Sequence, residues 1–208
     1  MKITRSLIVG GAFVALVGLL AGCGEATSSA PIGSQSSSAA SSGQTDSASV
    51  GSADDIAFAQ LMIPHHQQAM TMADLALAKA STSEVRLLAK QIKAAQSSEI
   101  ATMAQWLTDW DAPILLPSSP SGHDMGNMAD PRSSGMMSNE DLSLLLKSKG
   151  SAFDQMWSQM MIAHHQSAIV MADQVLESTT NADVRDLAQK VIEGQTAEIT
   201  TMKELLSQ

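Results

Sequence analysis

The 208-residue chain has one cysteine, no tyrosine, three phenylalanines and six prolines. A lone cysteine excludes an intrachain disulfide. With so few aromatics, and no alternating run of β-branched residues, a sheet-built core is excluded as well. Lysine and arginine total 12 against 21 aspartates and glutamates, a formal net charge of −9, and no basic cluster breaks the acidic balance. Such a chain is a poor partner for nucleic acid or anionic lipid headgroups. Gly-x-Gly phosphate loops and nucleophile–base arrangements are missing too, so the sequence does not read as an enzyme.

The N-terminus carries an address. Lys2 and Arg5 precede an apolar run from Leu7 to Leu20, too short to span a bilayer and laid out like an export signal. It ends in "LAGC", residues 20 to 23, which resembles the lipobox of bacterial lipoproteins. The resemblance implies cleavage after residue 22, acylation of Cys23, and a protein held on the extracytoplasmic face of the cell membrane by its lipid alone. Residues 23 to 53 are mostly Ser, Ala and Gly, a tether with a reach of roughly 30 Å.

From residue 54 onward the chain is duplicated. "MIPHHQQAMTMAD", residues 62 to 74, returns 99 residues later as "MIAHHQSAIVMAD", residues 161 to 173. Without a gap, Val85, Arg86, Leu88, Ala89, Gln96, Glu99, Ile100 and Met103 recur as Val184, Arg185, Leu187, Ala188, Gln195, Glu198, Ile199 and Met202. Two copies of one unit are therefore joined in tandem.

Each unit reads as a helical hairpin. Phe58, His65 and Met72 are seven residues apart, as are Val85, Ile92, Glu99 and Trp106, the stripe of a bundle helix. Ser81-x-x-Glu84 and Thr180-x-x-Asp183 resemble capping boxes at the turns. The predicted fold is an all-α, up-down four-helix bundle, with repeat 1 over 54–110 and repeat 2 over 139–208. Between them, residues 111–138 contain Pro113, Pro117, Pro120 and Pro131 and read as a long crossover loop. Pro64 is expected to kink the first helix or delay its start. Ser138-x-x-Asp141 should open the third helix, and Gly150 should bend or divide it.

His65, His164, Glu99 and Glu198 occupy stripe positions where the pattern asks for apolar residues. Burying any of them alone would cost several kcal/mol. With the first turn centred near residue 82, His65 and Glu99 stand at one height, as do Met62 and Met103. His164 with Glu198, and Met161 with Met202, repeat this in the second unit. His66 and His165 either join from the flank or face outward. Two readings of this layer compete: a buried His–Glu hydrogen bond among methionine filler, serving a protein-interaction module, and a metal site. No Glu is followed by His three residues later, which argues against a di-iron carboxylate site. Thioether and imidazole together favour Cu(I), and imidazole also accepts Cu(II). His123, Met125 and Met128 in "HDMGNM", with Met136 and Met137, place further soft ligands in the loop, where no core is expected.

The stretches "FAQLMIPHHQQAMTMAD…QSSEIATM" and "FDQMWSQMMIAHHQSAIVMAD…QTAEITTM" resemble the domain of unknown function family numbered 305. The likeness spans most of residues 55 to 207. It implies a ferritin-like four-helix bundle, often exported, with some members tied to copper binding and tolerance. Carried over by motif, the implied metal ligands are Met62, His65, His66, Met72, Glu99 and Met103, with Met161, His164, His165, Met171, Glu198 and Met202. The expected partners are copper ions and a copper-handling protein of unknown identity.

Overall fold

The computed structural model describes residues 51–115 and 135–207. Four long helices and one short one fill these segments: α1 (Ala53–Lys79), α2 (Ser83–Asp109), α3 (Asn139–Lys147), α4 (Gly150–Ser178) and α5 (Ala182–Leu206). No strand occurs among the described residues, as the shortage of aromatic and alternating β-branched residues requires. The signal segment, Cys23, tether residues 23–50, and His123, Met125 and Met128 lie outside the described residues, and the tether's expected last residues 52 and 53 instead cap and open α1.

Local chemistry sets the helix ends, in two places one residue later than the sequence predicts. Ser52 and Asp55 form a capping box at α1, and Ser138 and Asp141 form the predicted one at α3. At α2, however, the N-cap is Thr82, whose hydroxyl accepts from Val85 N; Ser81 is drawn away to donate to Asp154 Oδ2 at 2.7 Å. At α5 the cap is Asn181 rather than Thr180, and its side chain accepts from the backbone of Asp183 and Val184. Gly150 divides the third helix as expected. It adopts φ +60°, a conformation that glycine takes without the penalty a Cβ would bring.

Pro64 was expected to kink α1 or delay its start; the helix begins eleven residues before it, at Ala53, and continues past it to Lys79. A mid-helix proline costs about 3 kcal/mol. Buried Phe58 and Met62 before it, with His65, Ala69 and Met72 after it, hold the rod to its neighbours on both sides, and their packing offsets the lost backbone bond.

Within each repeat the helices form the predicted antiparallel hairpin, α1 on α2 and α4 on α5; α1 also packs on α4, whereas α2 and α5 touch sparingly. The α1–α4 pairing is antiparallel. Trp157 Nε1 donates to the Met72 carbonyl at 2.9 Å, while Asp154, three residues earlier, accepts from the N–H and hydroxyl of both Ser81 and Thr82 at 2.7–3.0 Å. The turn of the first hairpin thus stands at the open end of the second.

This inverted stacking produces two apolar clusters. One holds Met62, Met103, Ala168, Ala172, Val184 and Ala188; the other holds Met161, Met202, Ala69, Ala73, Val85 and Ala89. Each residue in one set is the 99-residue counterpart of a residue in the other, so the hairpins are related by an approximate two-fold rotation. Fully burying each such methionine contributes about 1.5–3 kcal/mol.

Candidate metal centre

The rotation relating the hairpins brings His65 and His164 face to face, with ring centroids 3.7 Å apart and planes tilted by 35°. His66 and His165 flank them, with centroids 6.4 and 6.5 Å from their chain neighbours. All four histidines are buried. The adjacent histidines, whose placement the heptad left open, therefore turn inward. The expected partner of His65 is corrected: Glu99 binds His66, Nε2 to Oε2 at 2.6 Å, and Glu198 binds His165 at 2.8 Å. The reason is geometric. α1 packs on α2 and α4 at once, so adjacent residues, about 100° apart on the helix, face one helix each: His66 meets α2 and His65 meets α4.

These bonds assign the imidazole protons. A carboxylate only accepts, so Nε2 of His66 and of His165 carries the shared proton, and wherever the imidazole is neutral its Nδ1 is the lone pair. Ser167 Oγ donates to the His164 carbonyl at 2.7 Å and lies 2.8 Å from His65 Nε2, which must then be the donor. His65 Nδ1 is a lone pair as well. None of these three Nδ1 atoms has a hydrogen-bond partner, nor has either ring nitrogen of His164. Burial, reinforced by the neighbouring His66 and His165, pushes the His65 pKa down to about 3. Burial likewise holds His164 well below the ordinary histidine range, with further lowering from His65, His165 and His66. The stacked pair is therefore neutral at ordinary pH, the form in which imidazole ligates metals.

Met62 and Met103 share one apolar cluster and Met161 and Met202 the other, so each cluster holds one buried thioether pair of the predicted set. Met72 and Met171 stand one heptad beyond His65 and His164, about 10 Å along the helix. Met72 lies in the cluster with Trp157, and Met171 is half-buried against the other cluster. Among the described residues no three His, Asp or Glu side chains converge on a common point. A soft ion held among the four histidines would draw on thioether sulfur beside imidazole.

Several residues at the centre escaped sequence reasoning. Gln68 holds the returning end of the crossover loop, donating to the Met137 carbonyl at 2.8 Å and accepting from Met137 N at 2.7 Å. Met137, read from sequence as having no core to fill, packs against the Trp157 cluster. Gly135 at φ +68° lies so close to Ser167 that a Cβ would stand 2.0 Å from that side chain. Gln96 and Gln195 are buried on the inner stripes of α2 and α5; their recurrence in both repeats was the available signal.

Fold and layer together define a class: a duplicated all-helical bundle whose centre is a buried row of four histidines, each outer one oriented by a glutamate. The family described as "Domain of unknown function (DUF305)" matches residues 55–206, and the chain belongs to it. It is similar to the crystal structure of a DUF305 fragment from Deinococcus radiodurans, with 28% identity and a TM-score of 0.67 over 76% of this chain and 97% of that one. It is also similar to CopM in the Cu(II)-bound form, with 32% identity and a TM-score of 0.62 over 74% and 95%. CopM in the Cu(I)-bound form gives 30% identity and 0.59 over the same shares. No curated protein sequence matches the chain.

Proposed function

We propose that this protein is a lipid-anchored binder of copper, chiefly Cu(I), which buffers the ion or hands it on outside the cytoplasm. The observation that carries the reading is the set of buried, unpartnered Nδ1 atoms on His65, His66 and His165, on rings each held by a bond at Nε2. An unpartnered buried polar atom costs about 1–3 kcal/mol, and a bound metal would offset that cost. Glu99 and Glu198 then orient His66 and His165, the usual task of a carboxylate behind a ligating imidazole. Met62, Met103, Met161 and Met202 are the thioethers within the same core, and thioether with imidazole selects a soft ion. The copper-bound forms of CopM support the choice of metal. Anchoring rests on the "LAGC" sequence and Cys23, and the role is binding rather than catalysis.

The test is competition titration of the purified protein with Cu(I) under reducing conditions, beside Cu(II) and Zn(II), for wild type and a His65→Ala/His164→Ala variant. Tight Cu(I) binding that the variant loses while keeping its helical content is the expected result. Binding no tighter than that of a methionine-poor helical control would overturn the proposal.

A further inference from the structure

Gln96 and Gln195 take no part in the copper reading, yet they are the most conspicuous polar groups left in the core. They are 2% and 4% exposed, and in both the amide oxygen and the amide nitrogen are without a hydrogen-bond partner. Leaving a primary amide so placed costs about 1–3 kcal/mol per group, and an apolar side chain would avoid it. The sequence nevertheless places glutamine there in both repeats.

The two glutamines line one cavity, of about 30 Å³, with Glu99, Glu198, Ala95, Lys190, Val191 and Gly194. That space is enough to admit a water molecule or an ion of similar size. The cavity lies in the seam between α2 and α5, the sparsely packed side of the bundle. Glu99 and Glu198 spend Oε2 on His66 and His165, which leaves Oε1 on each. Their side chains are 18% exposed while those histidines are fully buried, so the carboxylates form the boundary between solvent and core. On the outer side, Glu99 and Lys190 also border a groove of about 460 Å³ that Asp183 and Asp186 line, an acidic approach that raises local cation concentration.

We propose that this cavity is a second cation site, built of oxygen donors, which takes a hard divalent ion such as Mn²⁺ or Ca²⁺ and ties α2 to α5. The donors are the amide oxygens of Gln96 and Gln195 and the free carboxylate oxygens of Glu99 and Glu198. An all-oxygen set prefers hard cations over the soft ion favoured by thioether and imidazole. Two carboxylates with two neutral oxygens place the affinity on the order of 0.1 mM. Lys190, which lines the cavity, opposes occupancy.

The probe is Mn²⁺, titrated into the purified full-length protein and followed by loss of the free-ion electron paramagnetic resonance signal. One Mn²⁺ per chain is expected. Gln96→Leu/Gln195→Leu, which leaves both His–Glu pairs in place, should weaken binding roughly tenfold or more. Lys190→Met, at an exposed position, should tighten it a few-fold by removing a like charge. If wild type takes up no Mn²⁺ at about 1 mM, well above the expected affinity, the site does not exist. Equal binding by the glutamine variant would sink the proposal, and so would unchanged affinity in Lys190→Met, which decides the matter even if the glutamine variant fails to fold. Cu(I) titration of the same sample separates the two readings: Mn²⁺ bound without copper removes only the copper proposal, and copper bound without Mn²⁺ removes only this one.

Discussion

Ser167 and His65 join the two repeats through one hydroxyl, with Oγ 2.8 Å from the imidazole Nε2 and 2.7 Å from the carbonyl of His164. The bond departs from the rotation relating the hairpins, since the counterpart of Ser167 is Gln68, which serves Met137 instead. Replacing Ser167 with Ala leaves the His65 N–H buried and unpartnered. We expect about 1–3 kcal/mol of lost stability in denaturant unfolding. The His65 tautomer is also released, and metal affinity should fall about 10–100-fold; unchanged Cu(I) affinity would show that His65 does not ligate through Nδ1.

Gly135→Ala tests whether the returning loop end matters to this atom. The residue has φ +68°, and a Cβ would meet Ser167 Cβ at 2.0 Å and Oγ at 2.1 Å. Left-handed backbone alone penalises alanine by about 1 kcal/mol, and the overlap adds to it. The expected outcome is a destabilised protein with increased proteolysis next to residues 135–138. Wild-type stability would mean that this segment moves aside without loss.

The stacked histidines predict a pH dependence with a definite sign. The folded protein holds His65 at about 3 and His164 well below 6.5, whereas in the unfolded chain both titrate near 6.5. The unfolded state therefore binds more protons below that value. Their full contribution to stability is present above about pH 6.5 and is lost as pH falls toward 3, by at most about 1.4 kcal/mol per pH unit for each histidine. Urea unfolding at pH 7.5, 6 and 5 should show the decline, and a His65→Leu/His164→Leu variant should flatten it. Copper affinity should weaken over the same acid range.

Asp154 should matter to stability without touching the metal. Burial raises its pKa, but the hydroxyl and backbone N–H groups of Ser81 and Thr82 outweigh that and hold it below the usual carboxylate range. Asp154→Ala abandons four hydrogen bonds and should cost about 2–4 kcal/mol. Cu(I) affinity of the folded fraction should equal wild type; a large loss would mean that the turn controls the layer.

The heptads at Phe58–His65–Met72 and Val85–Ile92–Glu99 were sufficient to place every long helix, because a stripe of buried residues states which face of a helix meets its neighbours. They could not choose between His65 and His66 as the partner of Glu99, because that choice depends on where α4 packs, and α4 arrives from a repeat 99 residues away. The caps at Thr82 and Asn181 were missed for a related reason: Ser81 is engaged by Asp154, which the local sequence does not contain. Gln96 and Gln195 were legible only as positions repeated in both halves; that neither amide finds a partner depends on the seam between α2 and α5, which no local pattern describes.

A two-fold rotation carries every part of one hairpin to a distant place on the other, except at the level of His65 and His164, where the chain meets its own image. Asp55 and Asp154 illustrate the freedom elsewhere: the first caps its own helix, while its copy reaches across to the opposite hairpin's turn. Divergence at the ends of the bundle is met by some unrelated neighbour and can be accommodated one residue at a time. At the midpoint an altered side chain confronts its own twin, so the two halves of the gene must settle that level jointly.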